Sequence, residues 1–134
     1  MNRTSRTIDL YLANRFTPSE ADHERLQLGN DVDPRTANLE AIRVVELQFP
    51  RFTDGRAFSQ AFLLRRRLGF TGEIRATGDV LVDQLLQMQR SGFTQAVLRA
   101  DQSVEHARTL LALYLAFYQG DAVHPAPHFL AEAR

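Results

Sequence analysis

Three short segments of the chain each bring one arginine and one aspartate close together: Asp54 with Arg56, Arg75 with Asp79, and Arg99 with Asp101. Guanidinium groups hold oxyanions through paired N–H donors, and the free N–H groups at helix starts attract the same ligands. If the three segments share one edge of the fold, these six residues form a ligand-binding site for sulfite, sulfate, phosphate or a carboxylate. The same residues also suit a plainer arrangement, in which each arginine pairs with its own loop's aspartate and pins the loop. Asp79, following Gly78, has two readings of its own: a general base at the mouth of a pocket, or the cap of a helix. Asp83, one turn further on, suits the first turn of that helix, where negative charge is favoured.

Other chemistries lack their residues. All 16 basic side chains are arginine, and the 134-residue chain has no lysine, cysteine or tryptophan. Schiff bases, thiolate nucleophiles, disulfides and cysteine-ligated zinc, iron–sulfur or haem are thereby excluded. G-x-S-x-G does not occur and Ser59 has no evident His–Asp partners, so a serine hydrolase is not supported and no catalytic residue is named. His124 and His128 would share a metal only on a helix, which Pro125 and Pro127 prevent, so no metal site is expected. His106 falls in the first turn of the last helix, where it could titrate against a ligand. Sixteen acidic residues bring the net charge to zero, and Arg65, Arg66 and Arg67 spread around a helix with no interleaved aromatics. Nucleic-acid binding is therefore not expected.

The elements that must position these residues follow from periodicity. Val44-Val45-Glu46-Leu47-Gln48-Phe49 reads as a strand closed by Pro50, and residues 58–68 read as a helix ended by Gly69. A brief strand covers 73–76, a helix carries Leu81, Leu85 and Met88 as far as Ser91-Gly92, and a third strand covers 96–98. Ser103 caps a last helix that runs to Tyr118 and stops at Gly120. This β-α-β-α-β-α order predicts an α/β fold with a small three- to four-stranded, mainly parallel sheet of open or partial-barrel type. Right-handed crossovers then place the loops 50–56, 75–79 and 99–103 on one edge, where such sheets bind ligands.

Residues 1–42 form a less regular arm within this single domain. Ile8-Asp9-Leu10-Tyr11-Leu12 alternates like an edge strand, Thr17-Pro18-Ser19-Glu20 matches a helix start, and Asp33 caps a short helix over 34–41. The core spans 43–120, and a loose tail with Pro125 and Pro127 follows from 121. The segment 8–13 is too polar and brief for a signal peptide, and the longest apolar run is shorter than the roughly 20 residues a spanning helix needs, so a cytoplasmic location is expected. That run, over 110–118, leaves no polar face and must be covered on all sides, either by the N-terminal arm or by a second copy of the chain in a homodimer.

Two motifs carry a family resemblance: Phe49-Pro50-Arg51-Phe52-Thr53-Asp54-Gly55-Arg56, and Gly72-Glu73-Ile74-Arg75-Ala76-Thr77-Gly78-Asp79-Val80 followed by Asp83-Gln84. With Ser59 and Arg65 between them, they resemble a bacterial domain-of-unknown-function family labelled probable oxidoreductase involved in sulfite reduction. The resemblance runs from Phe49 to Tyr118. It implies an accessory or partner role beside assimilatory sulfite reductase, with the Arg/Asp edge facing an oxyanion or an acidic partner surface. Two alternatives stay open: an oxidoreductase with a noncovalent flavin or a partner-borne redox cofactor, and a small-anion sensor. Ala57-Phe58 stands where relatives often have Gly-Tyr, and Ser91 where some have cysteine. Neither a phenol hydroxyl nor a thiol at those positions can serve this chain.

Overall fold

Strands form where β-branched and aromatic residues cluster, and the computed structural model, which describes residues 7–18 and 23–123, has five of them. They are β1 (Asp9–Leu12), β2 (Arg25–Leu28), β3 (Val44–Phe49), β4 (Glu73–Gly78) and β5 (Gln95–Leu98). All pair in parallel in the order β1-β5-β4-β3-β2, an open sheet with β1 and β2 at its edges. The chain divides into two compact units, Met1–Gln102, which holds the sheet, and Ser103–Arg134.

Two helices cross from strand to strand in the first unit. α1 (Arg56–Phe62) continues into a π turn over Leu63–Arg67, and α2 (Leu85–Ser91) follows a 3-10 turn at Val82–Gln84. Because β3→β4 and β4→β5 each step one strand in the same direction, right-handed connections put both helices on one face. The Phe49 ring meets Phe58 of α1 edge-on at 5.1 Å, which identifies that face as the one bearing Val45, Leu47 and Phe49. Ile74, Ala76 and Leu98 from the sheet are buried there, with Ala57, Ala61, Leu64, Leu85 and Met88 from the helical segments. Gly92, at φ 113°, closes α2 with the left-handed residue that its carbonyls require.

The sheet has more strands than the three or four expected, because β2 lies in the arm taken to be irregular. Its Arg-Leu-Gln-Leu alternation is a half-buried edge pattern only four residues long. β1 is an edge strand, as its own alternation predicts. The helix expected over 34–41 is a single 3-10 turn at Pro34–Thr36, since Ala37 adopts an extended conformation. Asp33 caps it, accepting from the Arg35 backbone N–H at 2.9 Å. Ser19 and Glu20, half of the other proposed helix start, lie outside the described residues.

The second unit contains α3 (Val104–Val123). Ser103 caps it, its Oγ accepting from the His106 N–H at 3.1 Å. The helix does not stop at Gly120. A lone glycine within a helix costs only about 1 kcal/mol, and nothing forces it into the left-handed conformation that ends one. Leu113 and Tyr114 are exposed, while the side chains of Leu115, Phe117 and Tyr118 and the tail from His124 lie outside the described residues. Among the described residues, no helix is long and apolar enough to cross a membrane.

Candidate functional site at the carboxyl edge

Each strand that ends at the carboxyl edge hands its chain to a loop, and three of these loops are laced together. β4 ends at Gly78, whose φ of 98° suits glycine and where a Cβ would collide with the Phe49 carbonyl oxygen. That close approach lets the Asp79 N–H donate to the same carbonyl at 2.8 Å. The Asp79 side chain then reaches both neighbouring loops. Oδ2 accepts from the Phe52 N–H at 2.7 Å, and Oδ1 accepts from Arg99 Nη1 at 2.7 Å.

Further bonds close the lattice. Gln84 Nε2 donates to the Phe52 carbonyl, the Arg99 N–H donates to the Val80 carbonyl at 3.0 Å, and the Val82 N–H donates to Gln102 Oε1 at 3.0 Å. Phe52 is thus gripped at its N–H by Asp79 and at its C=O by Gln84, yet it is 48% exposed. The two sequence motifs meet at this residue, one supplying Phe52 and the other supplying the side chains that hold it.

The charged residues are paired within the edge. Arg99 faces carboxylates with all three of its nitrogens: Nε and Nη2 lie 2.9 and 2.7 Å from the two Asp101 oxygens, and Nη1 binds Asp79. Arg56 holds Asp54 in the same two-pronged way at 3.1 and 2.8 Å, and Asn30 Nδ2 donates to Asp54 Oδ2 at 2.6 Å. Hydrogen bonds from Arg56 depress the Asp54 carboxyl to about 2, and those from Arg99 do the same to Asp101. Asp79 is lowered as well, first by Arg99 and then by the Phe52 N–H. That direction is wrong for a general base at neutral pH, which works best with a pKa near the operating pH.

Arg75 does not share the Asp79 loop. The strand expected to end at Ala76 runs on to Gly78, so Arg75 lies in the sheet, 1% exposed, on the face opposite Phe49. It belongs to a polar row in which residues of all five strands are in register: Asp9, Gln95, Arg75, Glu46 and Gln27. Arg75 Nη1 lies 3.2 Å from Glu46 Oε2, and Nε lies 2.8 Å from Gln95 Oε1. Gln27 Nε2 donates to the other Glu46 oxygen at 2.7 Å, and the Phe16 ring lies over the guanidinium at 4.5 Å. Of the six residues read as a site, five gather at the carboxyl edge and Arg75 belongs to the framework of the sheet.

Sequence reasoning gave no role to Phe52, Gln84 or Asn30. All three are named by contacts across more than twenty residues of chain. Among the described residues, no group of three or more His, Asp or Glu side chains is placed to hold a metal ion.

Fold and edge together define a small α/β protein with an all-parallel open sheet and a rigidly cross-tied loop cluster at the strands' carboxyl ends. The chain belongs to the family described as a bacterial protein of unknown function (DUF934), whose model matches residues 25–129. No curated protein and no solved structure matches it.

Proposed function

We propose that this chain is an accessory protein of assimilatory sulfite reduction that docks onto an acidic surface of the reductase through its carboxyl-edge loops. The observation that supports this reading is Phe52, an exposed ring on a backbone clamped from both sides. Binding energy concentrates in a few aromatic and arginine side chains, and a preorganised anchor loses little conformational freedom on binding. Exposed Arg51 beside Phe52 suits an acidic rim on the partner. The small-anion reading draws less support, because the guanidinium donors it needs are engaged by Asp54, Asp79 and Asp101.

A homodimer through residues 110–118 is part of the same proposal, with the exposed Leu113 and Tyr114 at the contact. Light scattering of the purified protein reads this directly: a dimer mass that Leu113→Glu converts to monomer supports it, and a monomer mass in the wild type contradicts it.

The docking reading is tested by titrating the chain into purified assimilatory sulfite reductase in a calorimeter. Saturable heat that weakens with rising salt is expected. No binding at low salt overturns the reading.

A further inference from the structure

Among the described residues, two exposed large apolar side chains stand on neighbouring loops of the carboxyl edge: Val32, 37% exposed, and Phe52. Val32 lies in the loop after β2 and Phe52 in the loop after β3, and these two strands are paired. The other exposed apolar side chains lie elsewhere, Phe62 and Leu68 toward the far end of α1 and its π turn, Leu113 and Tyr114 in the second unit.

Both residues at the edge are built the same way. The Phe52 N–H is held by Asp79 and its C=O by Gln84. The Val32 N–H donates to the Gly29 carbonyl at 3.1 Å, and the Val32 C=O accepts from Gln60 Nε2 at 2.8 Å. Gln60, on α1 and buried, also donates to the Gly29 carbonyl at 2.8 Å, so one side-chain amide fastens both ends of the turn that presents Val32. Backbone groups of an exposed residue can be satisfied by water alone. Here the protein supplies a partner on both sides of each exposed apolar side chain. Asn30 Nδ2 then ties one loop to the other, donating to Asp54 Oδ2 at 2.6 Å. The spacing of Val32 and Phe52 is thereby set in the free chain, and little conformational freedom is left to lose on binding. Charge on the same loops suits an acidic partner. The Asp54 carboxylate is turned inward, bonded to Arg56 and Asn30, and the exposed Asp31 is offset by Arg56, whose positive charge it favours. Arg51 is exposed beside Phe52.

We infer, on the docking reading proposed above, that Val32 is a second anchor, and that the partner surface carries two separate apolar recesses, one for Phe52 and one for Val32, with an acidic group facing Arg51. The test is calorimetric titration of the wild type, Val32→Thr, Val32→Ser, Arg51→Gln and Leu68→Ser into purified assimilatory sulfite reductase, at low and at high salt. Val32→Thr keeps the shape of the side chain while making part of it polar, and Leu68, 38% exposed at the opposite end, is the matched control. Both Val32 variants are expected to bind at least threefold more weakly than the wild type, by the same factor at either salt concentration, because apolar burial is not screened. The loss in Arg51→Gln shrinks as salt rises, and Leu68→Ser binds as the wild type does. All the substituted side chains are exposed, and coincident thermal unfolding verifies that the variants retain their fold. Wild-type affinity in Val32→Ser, or an equal loss in Leu68→Ser, overturns the second anchor and leaves docking through Phe52 standing. No binding by the wild type overturns the docking reading itself, and the second anchor with it.

Discussion

The Phe52 N–H donates to Asp79 Oδ2 at 2.7 Å across 27 residues of chain, joining the loop after β3 to the loop after β4. Asp79 is in turn held by Arg99, and Arg99 by Asp101. Each bond is between exposed or half-exposed groups and is individually weak. Together they fix the geometry of one exposed aromatic residue.

Removing the central carboxylate should release that residue. In Asp79→Ala, the Phe52 amide is expected to exchange with solvent at least ~10-fold faster, because its acceptor is gone, while the amides of Leu47 and Ile74 in the sheet keep their protection. Hydrogen exchange read by NMR separates the two. Equal acceleration throughout would mean that Asp79 supports the whole fold rather than the loop.

Two glycines with positive φ separate backbone strain from steric collision. At Gly69, φ 67°, a Cβ would meet nothing within 4 Å, whereas at Gly78, φ 98°, it would strike the Phe49 carbonyl. Gly69→Ala is expected to cost about 1 kcal/mol, the strain of the left-handed region alone, and Gly78→Ala about 3 kcal/mol. Urea unfolding midpoints measure both.

The buried pair in the sheet gives the opposite lesson from the surface pairs. Glu46 is 4% exposed and Arg75 1%, so removing one partner leaves a charge in the interior. Glu46→Gln is expected to destabilise by roughly 3–5 kcal/mol, and the double variant Glu46→Leu/Arg75→Met to recover much of the loss. Chemical denaturation of the three proteins completes the cycle.

Acid should act through the loop carboxylates. Asp54 and Asp101 titrate near 2 in the folded chain instead of at their ordinary 3.8, because arginine hydrogen bonds favour the charged form. A depressed folded-state pKa adds stability that is complete above the ordinary value and is lost as pH falls toward the folded one. The wild type should therefore lose stability between about pH 4 and 2, and Asp54→Asn/Asp101→Asn should show a flatter curve over that window and lower stability at neutral pH. Circular dichroism against pH reads both slopes.

Much of the α/β architecture is legible in the sequence because its signals are local. Val45, Leu47 and Phe49 form an apolar face that alternates with Glu46 and Gln48, and Gly69 and Gly92 stop their helices through a conformation that other residues resist. What escapes local reading is register. Glu73, Arg75 and Thr77 alternate with Ile74 and Ala76 as one strand, but Arg75 looks like a loop residue until Glu46 of β3 and Gln95 of β5 are seen opposite it. Likewise Asp79 reads in sequence as a helix cap, but the turn after it is capped at Leu81, and the Asp79 carboxylate instead holds Phe52, a contact that exists only after the β3–β4 crossover has brought the two loops together. Gly120 misleads for the reverse reason, since a helix tolerates glycine where nothing bends the backbone away.

The account turns on Phe52 as the docking anchor, and the chain contains its own control. Phe52 and Phe62 are equally exposed, at 48% and 49%, but lie at opposite ends of the sheet. Calorimetric titration of Phe52→Ala and Phe62→Ala into purified assimilatory sulfite reductase is the most direct measurement. The expected result is a loss of about 2 kcal/mol, roughly 30-fold in Kd, for Phe52→Ala and wild-type affinity for Phe62→Ala. Equal affinities for the two variants, or no binding by the wild type, would contradict it.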